Sequence, residues 1–379
     1  MKILTILSVL VYLIILSSLS NYFDISSKVT YGSFLIILLG LFNVFVNRDP
    51  QNSKETVTLK KGIISFSFLV LLKLILNQSN QITELFVLLL IPLLHSYNLI
   101  LLDRFSRNVI FNVIIVFYII ECLLAIYEKT SGNLIFGQND GSLGQLVEIQ
   151  KVEFRSNSLL GHPLNNALCV SVIMSSILLS VFPKFLRLFL LMIGFIALIC
   201  FDARASIIIW MIVFAVHFYK DFKKGLGISL FFGLLITYFI TDSLKLFGRI
   251  SNFDLLDGSA LARIHVLNAF DLLSGYDLWF GNSILYLKIV EYLGAGGIEN
   301  SFVVFIVDFG IIGTIILLYF YKDYFSIVFR KFSWYPKIIL ISAYFVLGST
   351  NNGLSNHIPL FLFISCLNCF PFSSNYYNK

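Results

Sequence analysis

Charge is what this chain has least of. Only 13% of its 379 residues are Asp, Glu, Lys or Arg, where a soluble protein carries roughly a quarter. Hydrophobic residues make up 58%, with 39 Phe, and mean hydropathy is +0.88. No soluble fold can hide so much apolar surface, so the composition predicts an all-α polytopic membrane protein.

Other absences narrow the chemistry. No Gly-rich phosphate loop follows a strand, no Walker sequence is present, and no outer loop carries an Asp-x-Asp pair. Nucleotide binding therefore has no signature here, and the lack of clustered carboxylates argues against a required divalent metal. The five cysteines (Cys122, Cys169, Cys200, Cys366, Cys369) fall inside or beside apolar stretches, without disulfide spacing. Cys366 and Cys369 form a C-x-x-C within the last such stretch, where packing explains them better than metal or redox chemistry. Lys2 and the apolar run 3–19 resemble a signal peptide. However, Ser17-Ser18-Leu19-Ser20 is a poor cleavage site and another apolar run follows, so 3–19 reads as a retained helix. The net charge of +6 reflects loop orientation and implies no nucleic-acid partner. No internal repeat or low-complexity tract stands out.

What is present is a series of about twelve apolar spans, near 3–19, 29–46, 62–76, 82–102, 109–127, 165–182, 185–201, 205–219, 225–241, 299–321, 335–350 and 357–373. Several fall short of the ~20 residues a full crossing needs, which predicts tilt, broken helices or local thinning. With a cytoplasmic N-terminus, 17 of the 27 basic residues lie on the cytoplasmic side and Lys73 lies within a span. The short outer loops carry almost none, so both termini are expected inside. Residues 1–379 then form one integral membrane domain with two long outward loops, 128–164 and 242–298. Within the second, Ser259 is a helix cap and Leu261, Ile264, Val266, Leu267, Phe270 and Leu273 lean to one side. They suggest a surface helix near 259–275 that lies on the membrane or roofs a cavity. His95 and Lys73, inside apolar spans, read as snorkelling or packing residues.

The richest stretch runs from Arg155 to Ala167. Arg155 offers a permanent cation suited to phosphate, Gly161 a sharp turn, His162 a proton carrier near neutral pH, and Pro163 a preset helix start. A polar loop that merely caps a helix is the plain alternative. Four arginines, Arg155, Arg204, Arg249 and Arg263, are predicted on the outer side. Arg204 lies in the hairpin Phe201-Asp202-Ala203-Arg204-Ala205-Ser206, with Asp202 as a possible partner. A cation at the membrane boundary costs several kcal/mol unless it is paired or bound to an anion, and a diphosphate between lipid and sugar would satisfy it. Farther on, Gly294-Ala295-Gly296-Gly297-Ile298-Glu299-Asn300-Ser301 ends the second loop. Glu299 is either a capping carboxylate or a general base for an acceptor hydroxyl. Asp308, Gly310 and Gly313 follow, with the small residues suggesting close helix packing.

Three separated pieces resemble the O-antigen polymerase and O-antigen ligase superfamily of bacterial envelope glycosyltransferases. They are Arg155 with Gly161-His162-Pro163 and Ala167; Ala203-Arg204-Ala205-Ser206; and the second loop with Ser259 to Arg263, the Gly281 region, Glu299-Asn300-Ser301 and Gly310 to Gly313. Together they span about 150–320. The resemblance implies a fold like that of the multi-helix, lipid-donor (GT-C-like) glycosyltransferases in the bacterial inner (cytoplasmic) membrane. It implies a glycan carried on undecaprenyl diphosphate as donor, a second such glycan as acceptor, and a flippase and chain-length regulator as partners. The transfer would be metal-independent and inverting, without a cofactor. Arg155, Arg204, Arg249 and Arg263 would hold the diphosphate, and Glu299, His162 or His265 would activate the acceptor. Ligases of the superfamily typically carry a histidine where this chain has Glu299, which favours a polymerase of O-antigen, capsule or exopolysaccharide over a ligase. A polysaccharide-lipid transporter or flippase is the alternative from another class.

Overall fold

The computed structural model describes residues 3–7, 9–10, 36, 54–75, 88, 90–135, 154–222, 265–293, 298, 300–349, 353–355 and 357–376. The expected spans 29–46 and 225–241 lie almost wholly outside these residues. So do most of 3–19, the middle of the first long loop, and the start of the second loop with Ser259.

The described chain is helical. It runs through α1 (Lys54–Ile75), α2 (Ile91–Ile100), α3 (Arg104–Ser131), α4 (Pro163–Leu179), α5 (Lys184–Cys200) and α6 (Arg204–Phe222). After a 3-10 helix (Val266–Leu272) come α7 (Gly275–Phe280), α8 (Leu285–Leu293), α9 (Ser301–Phe329), α10 (Trp334–Ile341) and α11 (His357–Cys369). Past Ile341 a π turn (Ser342–Val346) and a last helical turn (Leu347–Ser349) extend α10. No strand occurs among the described residues, apart from an isolated bridge between Ser180 and Phe372. Two helices, α3 and α9, are long and apolar enough to cross a membrane. Twelve crossings are more than the described helices establish.

The hub is α4. From Asn166 to Leu179 every residue is buried, because the helix is apolar on all sides and neighbours surround it. It packs on α11, α5 and α3. The ends of α4 and α11 are tied by Val181 N–H donating to Pro371 C=O and Ser373 N–H to Leu179 C=O, both at 3.0 Å, so the two helices run parallel. Outward-facing stripes are apolar as well. On α3, Val116, Ile120, Leu123 and Tyr127 are exposed, and on α6, Ile208, Met211, Ile212 and Val216. Both sets follow the three-to-four spacing of one helix face.

The helix α3 runs farther than its hydrophobic stretch. Glu128 to Ser131, expected to open the first loop, form its last turn, and Gly132 ends it in the left-handed conformation at φ 68°, an ordinary helix stop. Hydropathy alone misplaces this end, because Glu128 is buried by partners far along the chain.

The second loop departs further from expectation. In place of one surface helix near 259–275, the 3-10 helix ends at Leu272, and Ser274 opens α7 with a capping box shared with Asp277. Ser274 and Asp277 prefer to cap a new helix rather than sit inside one. Val266, Ala269, Ile289 and Ile298 close a small core of their own against Val303, Val304 and Val307 of α9. The loop therefore folds back onto the first half of α9.

There α9 is broken. Gly310 has φ 71° and ψ 175°, a conformation essentially reserved for glycine. The last turn before the break finds partners outside the helix. Val307 C=O accepts from Asn282 N–H at 2.6 Å, and Asp308 C=O from Lys73 Nζ at 3.2 Å. Lys73 Nζ also donates to Phe280 C=O, the end of α7, at 2.5 Å. Lys73 is wholly buried, so it is neither a snorkelling residue nor idle packing. It serves two helix ends whose carbonyls carry partial negative charge.

Candidate functional site

The same end of the bundle that carries the α3 terminus holds the Arg155 segment. Glu121 and Glu128 are seven residues apart on α3 and so share a face; both are wholly buried. Residues 156–159 run along that face. Glu128 Oε2 accepts from Ser156 Oγ at 2.7 Å, Asn157 N–H at 2.9 Å and Ser158 N–H at 2.8 Å. Its Oε1 accepts from Ile135 N–H at 3.0 Å. One turn pair deeper, Glu121 Oε2 accepts from Leu159 N–H at 3.2 Å and its backbone carbonyl from Ser158 Oγ at 3.0 Å.

Other bonds fix the segment from behind. Lys129 Nζ donates to Phe154 C=O, and Ser156 N–H donates to Cys200 C=O at 3.2 Å. Asn157 C=O accepts from Asn166 Nδ2 and from Gly161 N–H at 3.0 Å. Ser158 and Gly161 turn the chain at φ 39° and 70°, and Pro163 then starts α4 with His162 as its cap residue. The turn expected at Gly161 and the helix start at Pro163 are both present.

Arg155 leaves this frame toward the hairpin between α5 and α6. Its Nε lies 3.5 Å from Oδ2 of Asp202, with the Arg155 side chain 30% exposed and that of Asp202 3%. Asp202 holds a left-handed turn at φ 54°, which Asp tolerates better than most residues. The aspartate expected beside Arg204 is thus an ion-pair partner of Arg155, and the pair is longer than a charge-assisted hydrogen bond of ~2.8 Å. Arg204, half-buried, is the first residue of α6. A cation at a helix N-terminus opposes the dipole, whereas an anion there is favoured. Lys129 is in electrostatic reach of both Asp202 and Arg155. Arg155 and Lys129 therefore meet at Asp202, two residues before Arg204 starts α6, and cations gathered this way at a partly exposed loop attract a multiply charged anion.

The other expected residues are distributed as follows. His162 is exposed at the cap of α4, seven residues from Arg155 on the same segment. His265 is exposed at the start of the 3-10 helix, and no hydrogen bond or ion pair among the described residues joins it to the Arg155 segment. Arg249, Arg263 and Glu299 lie outside the described residues. Sequence reasoning passed over Glu121, Glu128 and Lys129. Their signal was there: two acids two turns apart on one face of an apolar helix, which in a membrane is costly and marks a special site.

Comparison with known proteins supplies no relative: no family model, no curated protein and no solved structure matches this chain.

Proposed function

We propose that this chain is a multi-pass inner-membrane polysaccharide polymerase with both termini in the cytoplasm, which joins oligosaccharide repeat units carried on undecaprenyl diphosphate. In the reaction, an acceptor hydroxyl oxygen attacks the anomeric carbon of the donor glycan. The bond from that carbon to the diphosphate oxygen breaks, a base takes the hydroxyl proton, and the lipid diphosphate leaves. The configuration inverts and no metal takes part. Arg155 and Arg204, with Arg249 or Arg263, bind the diphosphate and stabilise its developing charge. The base is His162, His265 or Glu299.

The observation that carries this reading is the convergence of Arg155 and Lys129 on Asp202, two residues before Arg204 opens α6, with Arg155 only loosely paired to that aspartate. Apolar stripes on α3 and α6 support a lipid setting. A partly exposed guanidinium held 3.5 Å from its aspartate can exchange that partner for a multiply charged anion. A ligase moving finished glycan to lipid A core or another acceptor would use the same anion site. A transporter or flippase is favoured by one feature only, the broken helix α9, since broken helices often hold ions. Here the ammonium of Lys73 already takes the two carbonyls that such an ion would need.

The test is glycan length on gels from a strain lacking the gene, complemented with wild type, Arg155→Ala or Arg204→Ala. A polymerase leaves single repeat units in the deletion, and both arginine variants fail to restore length despite normal expression. Long chains accumulating on undecaprenyl diphosphate would indicate the ligase, and unchanged glycan would refute both.

A further inference from the structure

Glu128 takes part in no reaction step above, yet it makes more described hydrogen bonds than any other side chain at this end. Four donors reach its carboxylate, from Ser156, Asn157, Ser158 and Ile135. Three of them come from the residues directly after Arg155. On the other side of Arg155, the carbonyl of Phe154 is held by Lys129, the residue next to Glu128 on α3. The Arg155 backbone is therefore clamped from both sides by the last turn of one helix. The Arg155 side chain, by contrast, pairs with Asp202 at 3.5 Å and stays 30% exposed.

A fixed backbone beneath a loosely held guanidinium is how a binding cation is kept ready. The entropy of placing the chain is lost on folding rather than on binding, while the fork remains free to exchange Asp202 for a ligand. From this geometry we infer that Glu128 is the positioning residue of the anion site, acting through Arg155 on a polyprenyl diphosphate. The inference rests on the diphosphate reading above. Glu121 does not share the role, since it meets the segment farther from Arg155, at Ser158 and Leu159.

Glutamine at 128 keeps the shape but exchanges one acceptor oxygen for a donor. Whichever way it is turned, either the three-donor position or the Ile135 N–H then faces another donor.

The experiment uses the full-length chain in detergent micelles, titrated with farnesyl diphosphate as a soluble polyprenyl diphosphate. The variants are Glu128→Gln, Arg155→Ala and the double variant. Glu128→Gln is expected to weaken binding roughly ten- to a hundredfold, the equivalent of one or two charge-assisted hydrogen bonds, and to speed amide exchange at Asn157 and Ser158 but not within α4. Arg155→Ala is expected to weaken binding at least as much, and the double variant to bind no worse than Arg155→Ala alone. That non-additivity is what a merely structural glutamate would not produce. Wild-type affinity in folded Glu128→Gln, or a double variant that loses the product of both effects, overturns the positioning role while Arg155→Ala still supports the anion site. Unchanged binding in Arg155→Ala overturns the diphosphate reading and the inference with it. Ser156→Ala, which removes one donor from the loop and leaves the buried acid intact, carries the same test in milder form should Glu128→Gln fail to fold; it is then expected to weaken binding a few-fold.

Discussion

Alanine at position 310 separates a broken helix from a continuous one by the sign of its effect. In an unbroken α9, Gly310→Ala would add a good helix former and stabilise the protein by about 0.5–1 kcal/mol. At φ 71° and ψ 175° an alanine instead takes on ~1–3 kcal/mol of backbone strain. Its Cβ would also collide with Trp279 C=O and come within 2.5 Å of the backbone N and C of Phe280. Those atoms are main chain, already fixed by Lys73 and by Gly281, whose own Cβ would meet Gly310 N at 2.5 Å. Relief would need the two segments to separate, which adds ~1–3 kcal/mol. The expected loss is about 2–6 kcal/mol in total. Two glycines calibrate it. Gly132 has φ 68° with nothing near its Cβ position, so Gly132→Ala should lose only ~1 kcal/mol. Gly275 has open space and an ordinary φ, so Gly275→Ala should be neutral or gain a few tenths. Unfolding of the full-length chain by SDS titration, followed by far-UV circular dichroism, ranks the three. Fluorescence from Trp279, two residues from Gly281, reports the junction directly. A Gly310→Ala protein as stable as wild type, or more so, would refute the broken helix and the docking of residues 275–281 against it.

Lys73→Met should cost ~2–4 kcal/mol, because it leaves the carbonyls of Phe280 and Asp308 buried without a donor; the same SDS titration measures it, and equal stability would show that those carbonyls have other partners. Glu128→Gln should lose about 2–3 kcal/mol while Glu121→Gln, with one described side-chain bond against four, loses under ~1, so equal losses would contradict the described clamp. Asp277 titrates below the usual carboxylate range; slight burial opposes this, but hydrogen bonds from Ser274 and Asn282 outweigh it. A depressed folded value means its contribution is complete above the ordinary carboxylate range and is lost as pH falls through the folded one. Protection of the Leu278 and Gly281 amides, taken relative to their intrinsic exchange at each pH, should therefore fall on acidification, and Ser274→Ala should abolish most of that pH dependence.

Apolar helices were legible because they follow from composition and spacing. The starts of α4 and α9 are marked by Pro163 and by Asn300, and the turn before α4 by Gly161, whereas Gly310 reads as a packing residue and is in fact a break. Arg155 stands out because, with the expected orientation, it is a cation in an outward loop that defies the charge bias. What stayed hidden shares one cause. Glu128 reads as the first polar residue of a loop, and Lys73 as a stray charge in a span, because each is satisfied chiefly by backbone atoms, 29 to 30 and 207 to 235 residues away. No local pattern encodes a partner that is an ordinary N–H or C=O. The ion pair of Asp202 with Arg155, 47 residues earlier, is hidden from a local reading for the same reason.

The two hidden charges solve one problem with opposite signs. Irregular backbone that enters an apolar body must find hydrogen-bond partners there, since neither lipid nor hydrophobic side chains supply any. The Arg155 segment turns its N–H groups inward, and inward-facing donors need acceptors, which the carboxyl oxygens of Glu128 and Glu121 provide. The junction of α7 with α9 turns carbonyls inward, and inward-facing acceptors need a cation, which Lys73 provides. A charge exchanged between the two places would face groups of its own sign, so the identity of each is fixed by the direction of the backbone it serves. Arg155 has no comparable backbone bond among the described residues; its side chain, 30% exposed, meets the carboxylate of Asp202 at 3.5 Å. The direction of the backbone therefore accounts for the buried charges, and the anion site rests on the partly exposed guanidinium of Arg155 and not on the more deeply buried acids.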